Sequence, residues 1–269
     1  MKHNGTGRQS RIIRYKSSVR PVLWCHADKL INKKTGNHIG AIEYADSFKI
    51  EHIALNGYEF CGSWAKAQQT VEGLNAYERK SYEFNMKLYE EMCRYENEKG
   101  IQFDFAVLAG YMRFFKGPFQ RRFNNRAINV HPARLDIFDE AGFRKYRGEG
   151  QDVIPLTLND GQERTRSSII LVDAETDGGA VLVSGPWTRY KGKRPVEKGS
   201  DDAEKHQDKQ KEESDWPALR FALRAIANGE IGLHKSKFRF DGNPVVVYKG
   251  LEMPYEGVDM EEMSSSLWL

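Results

Sequence analysis

The 269 residues, 39% of them hydrophobic, suffice for a sizeable core and suggest one large domain or two small ones. Lys and Arg total 41 against 38 Asp and Glu, and the resulting charge of +3 gives no electrostatic mandate for nucleic acid or membrane, while a phosphate or carboxylate ligand needs only a local basic site. The polar start MKHNGTGRQSRIIRYKSS has no apolar h-region, Cys25, Cys61 and Cys93 lack C-x-x-C spacing, and no run of about eighteen apolar residues occurs; a cytoplasmic protein without disulfides or zinc is expected.

In chain order, residues 1–18 form a polar amino-terminal segment. Residues 19–25 (VRPVLWC) read as a buried strand, and residues 39–55 (IGAIEYADSFKIEHIAL) as a helix followed by a strand, a β-α-β cadence. Between Trp64 and Lys99, apolar residues recur at helical spacing in two stripes, Tyr82, Met86, Tyr89 and Cys93 or Phe84, Leu88 and Met92, with Gly100 as the stop. FDFAVLAGYM, from Phe103, predicts a strand buried on both faces, and INVH a further short strand. SSIILV (167–172) and AVLVSGPW (180–187) predict two strands joined by the acidic connection DAETDGG. The Lys-, Gly-, Glu- and Asp-rich residues 191–207 predict a mobile charged loop, residues 208–228 an amphipathic helix, and FRFDGNPVVVY a hairpin turning at Asp-Gly. The expected architecture is α/β, a mostly parallel sheet with helices on both faces, with its core at 19–190 and residues 208–269 in the same domain.

In such a sheet, ligands bind beyond the carboxyl ends of the strands. Gly110, Asn129 and His131 fall at or near such ends, and Asp177 lies in the loop after SSIILV. Asn129 and His131 stand at i and i+2 of one strand and therefore share a face. An imidazole can relay a proton near neutral pH, a carboxylate can orient and stabilise its charged form, and an amide can donate to a developing oxyanion. No serine or cysteine nucleophile motif accompanies them, so the trio suits attack by a substrate's own amine on an acyl carbon. Taken singly, N-x-H-P also describes a satisfied strand-end histidine beside a turn, Asp-Gly-Gly also describes a plain turn, and His26, His38 and His234 are isolated.

In sequence order, FAVLAGYMRFF, AINVHPARL, KYRGEG, TRSSIILVDAETDGGAVLVSG and KQKEESDWPALRFALRAIANGEIGLH resemble the phosphoribosylglycinamide (GAR) formyltransferases. The resemblance runs from about residue 19 to 242 and is most specific over 105–183. It implies a Rossmann-like formyltransferase fold and transfer of a formyl group to the amine of glycinamide ribonucleotide in purine biosynthesis. The donor it implies is the cosubstrate 10-formyltetrahydrofolate, with no metal, in a monomer or homodimer. By the same resemblance Asn129, His131 and Asp177 are catalytic, with Asn129 and protonated His131 at the tetrahedral oxyanion and Asp177 holding the His131 charge. Met112, Arg113, Phe114 and Phe115, with Val172, Asp173, Ala174, Glu175 and Thr176, border the folate. Gly110, Pro132, Lys209 and Glu212 contact the ribonucleotide, the last two sharing one helix face. An amino-sugar nucleotide as acceptor, or a non-catalytic folate- or nucleotide-binding paralogue, is the alternative.

Three features depart from that family. Its first strand and glycine-rich phosphate loop are matched only by NGTGRQS, with Gly5 and Gly7, so the first strand is expected to be missing or replaced, for instance by RIIRY. Ile170 stands where the family has a histidine. Between His131 and Gly148 the chain carries PARLDIFDEAGFRKYRG in place of a short connection, and its extra charge is expected to bear on acceptor choice.

Overall fold

A computed structural model describes residues 51–108, 111, 113–148, 150–173 and 175–266, with Ile12–Arg14, Leu23–His26 and residues 47 and 49. The chain divides into two compact units, residues 19–127 and residues 128–269 with 1–18. The physical reason is that each half closes its own core.

In the 19–127 unit, Leu23–His26 and His52–Leu55 pair in parallel, as the β-α-β cadence predicts. The helix expected between them falls largely outside the described residues. Asn56, Ser63 and Thr70 each accept a first-turn backbone N–H, capping the helices Gly57–Cys61, Trp64–Ala67 and Val71–Lys99. Gly100, at φ 64°, ends the long helix in the left-handed conformation that glycine adopts without strain. Of the two apolar stripes, the one through Phe84, Leu88 and Met92 is buried, whereas Tyr82 faces solvent. Phe84 and Leu88 join Cys61 and Tyr77, against which Trp64 and Phe114 pack. The Trp64 ring centroid lies 5.2 Å from that of Tyr77 and 5.4 Å from that of Phe114. The strand Ala106–Leu108 forms, but Val107 is 39% exposed, so burial on both faces does not hold. An apolar run reports hydrophobicity and not which face is covered.

In the second unit, Ala127–His131 pairs antiparallel with Ser168–Leu171, which pairs antiparallel with Val181–Ser184, itself parallel to Val258–Asp259. The connection over 172–180 is too short for a crossover, so these strands form a hairpin within the mixed α/β fold. A second sheet is antiparallel throughout, running from Ile12–Arg14 through Ile231–Phe238 and Pro244–Tyr248 to Leu251–Glu252. Within RIIRY, Ile12–Arg14 therefore edges this second sheet instead of replacing a strand beside His131; Gly5 and Gly7 lie outside the described residues.

The charged loop expected at 191–207 ends early, because Ser200 caps a helix at Asp201–Gln210 by accepting from Ala203 N–H. Asp201, Asp202 and Glu204 occupy its first turn, where carboxylates complement the helix dipole. The helix continues through a π-helical turn, Lys211–Asp215, into Trp216–Ala227, so it begins at 201 and not at 208. Ala203 packs with Ile154, Leu158 and Val196. Ile170 is buried against Leu135 and Val181, an apolar contact at the position where the resemblance leads one to expect a histidine.

Candidate active site

His131 and Asn129 stand on one face of their strand, opposite Ser168 and Ile170. The His131 ring is 2% exposed, and its Nε2 lies 2.6 Å from the Tyr146 carbonyl oxygen. A carbonyl only accepts, so Nε2 carries a hydrogen and donates it. Nδ1 faces Asp177 Oδ1 at 3.5 Å, an ion-pair contact longer than an ordinary hydrogen bond. A ring protonated on both nitrogens satisfies both oxygens. The other Asp177 oxygen accepts the Gly148 N–H at 3.0 Å. Burial pushes the Asp177 carboxyl up, but His131, the Gly148 N–H and the Arg147 charge together outweigh it and hold the group below the usual aspartate range. The Asn129 amide is half-buried and makes no hydrogen bond among the described residues, which leaves a donor beside the imidazole for an incoming oxygen.

The loop that carries Asp177 is tightly shaped. Asp177 itself sits at φ 54°. At Gly179 a Cβ would lie 1.9 Å from the Leu171 carbonyl oxygen, so only glycine lets the hairpin close. Gly179→Ala is expected to cost about 3 kcal/mol or more, since it drives a side chain into backbone that cannot yield. Urea denaturation of the variant against the native protein measures it, and an unchanged midpoint would show that the loop relaxes freely.

Behind His131 runs a buried relay. The Gln210 Nε2 donates to the Pro132 carbonyl at 2.8 Å, and its Oε1 accepts from the Thr165 hydroxyl. With its one proton so committed, Thr165 Oγ1 accepts from His206 Nε2 at 2.8 Å. The π-turn places Asp215 with Oδ1 at 3.4 Å from Gln210 Nε2. Burial raises that carboxyl to about 6, against the opposing effects of Gln210, Lys211 and His131.

Burial, aided by the Lys209 charge, pulls His206 from 6.5 down to about 4. The unfolded ring binds a proton more tightly than the folded one between those values. The His206 contribution to stability is therefore complete above pH 6.5 and is lost as pH falls toward 4. A loss of about 2–3 kcal/mol across that window is expected, and His206→Gln, which keeps a donor, should flatten it. Urea titrations at both ends of the window test this; equal pH slopes in the two proteins would remove His206 as the cause.

The other expected site residues are distributed as follows. Gly110, Met112 and Ala174 lie outside the described residues. Arg113, Phe114 and Phe115 belong to the 19–127 unit, where Arg113 Nε donates to the Gly57 carbonyl at 3.3 Å and Phe115 stacks edge-on with Phe119. Val172 is half-buried, whereas Asp173, Glu175 and Thr176 are exposed, and the Asp173 carboxylate accepts the Glu175 N–H at 3.0 Å. Lys209 pairs with Glu213 at 3.3 Å, an i,i+4 contact, and donates to the Arg189 carbonyl at 3.3 Å, while Glu212 is exposed. Sequence reasoning missed Tyr146 and Gly148, which act through their backbones, and Gln210 and Asp215, whose roles depend on the π-turn.

A family model for formyl transferases matches residues 56–212, more than half of the chain. A phosphoribosylglycinamide formyltransferase of Haemophilus influenzae is 27% identical over 105 residues, 39% of this chain and 44% of that protein. One from Mycobacterium tuberculosis is 33% identical over 104 residues, 39% of this chain and 40% of that protein. The match thus spans less than half the length of these curated relatives. The crystallographic phosphoribosylglycinamide formyltransferase of Coxiella burnetii aligns with a TM-score of 0.52 at 18% identity, covering 81% of this chain and 79% of that one, which shows a shared fold. With the fold and the family model in agreement, the chain belongs to the formyl transferase family, and the phosphoribosylglycinamide formyltransferases are members it resembles in sequence.

Proposed function

We propose that this protein transfers a formyl group from 10-formyltetrahydrofolate to the amine of glycinamide ribonucleotide, a step of purine biosynthesis. The observation that carries this reading is the buried His131–Asp177 pair beside the unengaged Asn129 amide, on a family member with no residue in a nucleophile motif. The amine attacks the formyl carbon, forming the C–N bond while the carbonyl electron pair moves to oxygen. Asn129 donates to that oxyanion. The amine's surplus proton passes to Asp177, ionised at neutral pH, whose charge is balanced by the His131 ring. The intermediate collapses as the oxyanion pair re-forms the carbonyl and the bond to the folate nitrogen breaks; that nitrogen takes the proton held by Asp177 and leaves as tetrahydrofolate. Both His131 nitrogens face oxygens in the free protein, so direct donation by the ring to the oxyanion requires it to exchange one of them. The 3.5 Å contact to Asp177 is the looser of the two and the one to rearrange as substrate enters.

The test is mass spectrometry of acceptors incubated with the protein and donor carrying a ¹³C formyl group. Labelled formylglycinamide ribonucleotide is the expected product. Label found only on an amino-sugar nucleotide would reassign the acceptor, and label on neither acceptor would overturn formyl transfer.

A further inference from the structure

We infer that the segment after His131 and the hairpin turn at Asp241–Asn243 form one clamp that sets the Asp177 carboxylate against His131, with Arg144 as its central positioning residue. Its kinetic test rests on the formyl-transfer reading above; its structural test does not.

The segment folds on itself. Phe138 and Arg144 bridge antiparallel, and Lys145 N–H donates to the Ile137 carbonyl at 2.9 Å. The Asp139 carboxylate closes the turn by accepting from Ala141 and Phe143 N–H, and Gly142 takes φ 82°. The outgoing arm is extended, so its side chains alternate: Phe143 is exposed, Arg144 buried, Lys145 exposed and Tyr146 buried. Three positions two residues apart then meet the proposed acid–base pair. Arg144 reaches the Asp177 loop, the Tyr146 carbonyl receives His131, and the Gly148 N–H binds the Asp177 carboxylate.

Arg144 does more than neutralise a charge. Its Nη1 donates to the carbonyls of Asp177 at 2.9 Å and Gly179 at 2.8 Å, while Nη2 lies 3.4 Å from Asp241. The Asn243 amide fills the gap, donating to the Gly178 carbonyl at 2.7 Å and to the same Asp241 carboxylate at 2.9 Å. Three consecutive carbonyls, 177 to 179, are thus each held by a side-chain donor. A left-handed aspartate costs energy that its surroundings must offset, and these donors do so. The Asp-Gly hairpin turn supplies the anchor for both donors. The insertion therefore acts on the geometry of the acid–base pair.

The experiment compares native protein, Arg144→Ala, Arg144→Lys and Asn243→Ala. Steady-state transfer is measured across pH, and the Asp177 carboxyl is followed by NMR in protein carrying ¹³C-labelled aspartate. Arg144→Ala should lower kcat about 10²-fold with KM changed little, because the reacting groups are misplaced and not lost. Methylguanidinium should restore part of that rate, and Arg144→Lys should lie between. The Asp177 titration, which the His131 and Arg147 charges hold down, should move up toward the ordinary aspartate range as the carboxylate loses its setting against His131. Asn243→Ala keeps the Arg144–Asp241 pair and serves if Arg144→Ala fails to fold; a smaller loss with the same direction of titration is expected. An unmoved Asp177 titration in folded variants overturns the clamp, as does a rate loss that methylguanidinium leaves untouched. No transfer by the native protein, with the titration shift intact, would instead overturn the formyl-transfer reading alone.

Discussion

Asp177→Asn is expected to lower the turnover of formyl transfer about 10³–10⁴-fold, as removal of the orienting carboxylate does in other histidine-dependent acyl transfers. The amide matches the carboxylate in shape, and its oxygen can still accept the Gly148 N–H that now meets Asp177 at 3.0 Å. It cannot balance a charged His131 ring or take up the amine proton. Because Asp177 is held below the usual aspartate range, the native rate should persist into mildly acidic solution before its acid limb appears. In Asp177→Asn the residual rate should lack that limb. Steady-state rates from acid to neutral pH measure both features, and an asparagine variant within tenfold of the native rate would take the carboxylate out of the proton path.

Asn129→Ala is expected to lower kcat about 10²–10³-fold, the usual cost of removing one oxyanion donor. Its effect on stability should be small. The amide makes no hydrogen bond among the described residues, so truncation leaves no buried partner unsatisfied and should change unfolding free energy by less than about 1 kcal/mol. The two variants therefore separate catalysis from folding. A large stability loss in Asn129→Ala with little change in kcat would make it a structural strand residue.

Much of this site is legible in the amino-acid sequence. Period-two alternation places Asn129 and His131 on one face, and the pairing of Asn129 with Ile170 and His131 with Ser168 keeps them there. Asp-Gly-Gly at 177–179 signals a turn, and the close approach of Gly179 to Leu171 explains why a side chain is excluded. The parts that stay hidden act through groups with no side-chain signature. The Tyr146 carbonyl and the Gly148 N–H could belong to any residue at those positions. Arg144 reads as one more charge in a charged segment, because its partners, the loop at 177–179 and Asp241, are far away in sequence. The π-turn at Lys211–Asp215 stays hidden as well, because helical spacing alone does not reveal it. The helix at Asp201–Gln210 has a readable signal, a serine followed by two aspartates, that the charged composition around it obscures.

The fold shows the same division. Helix ends follow their caps, with Thr70 opening and Gly100 closing the long helix of the first unit. The two units follow from where apolar side chains find one another, as in the aromatic cluster around Phe84.

The most direct test of the central claim is tetrahydrofolate release from 10-formyltetrahydrofolate, followed with and without glycinamide ribonucleotide, for the native protein and His131→Ala. Release that requires the ribonucleotide and disappears in the variant is the predicted result. Release that ignores the ribonucleotide, or that survives the loss of His131, would contradict it.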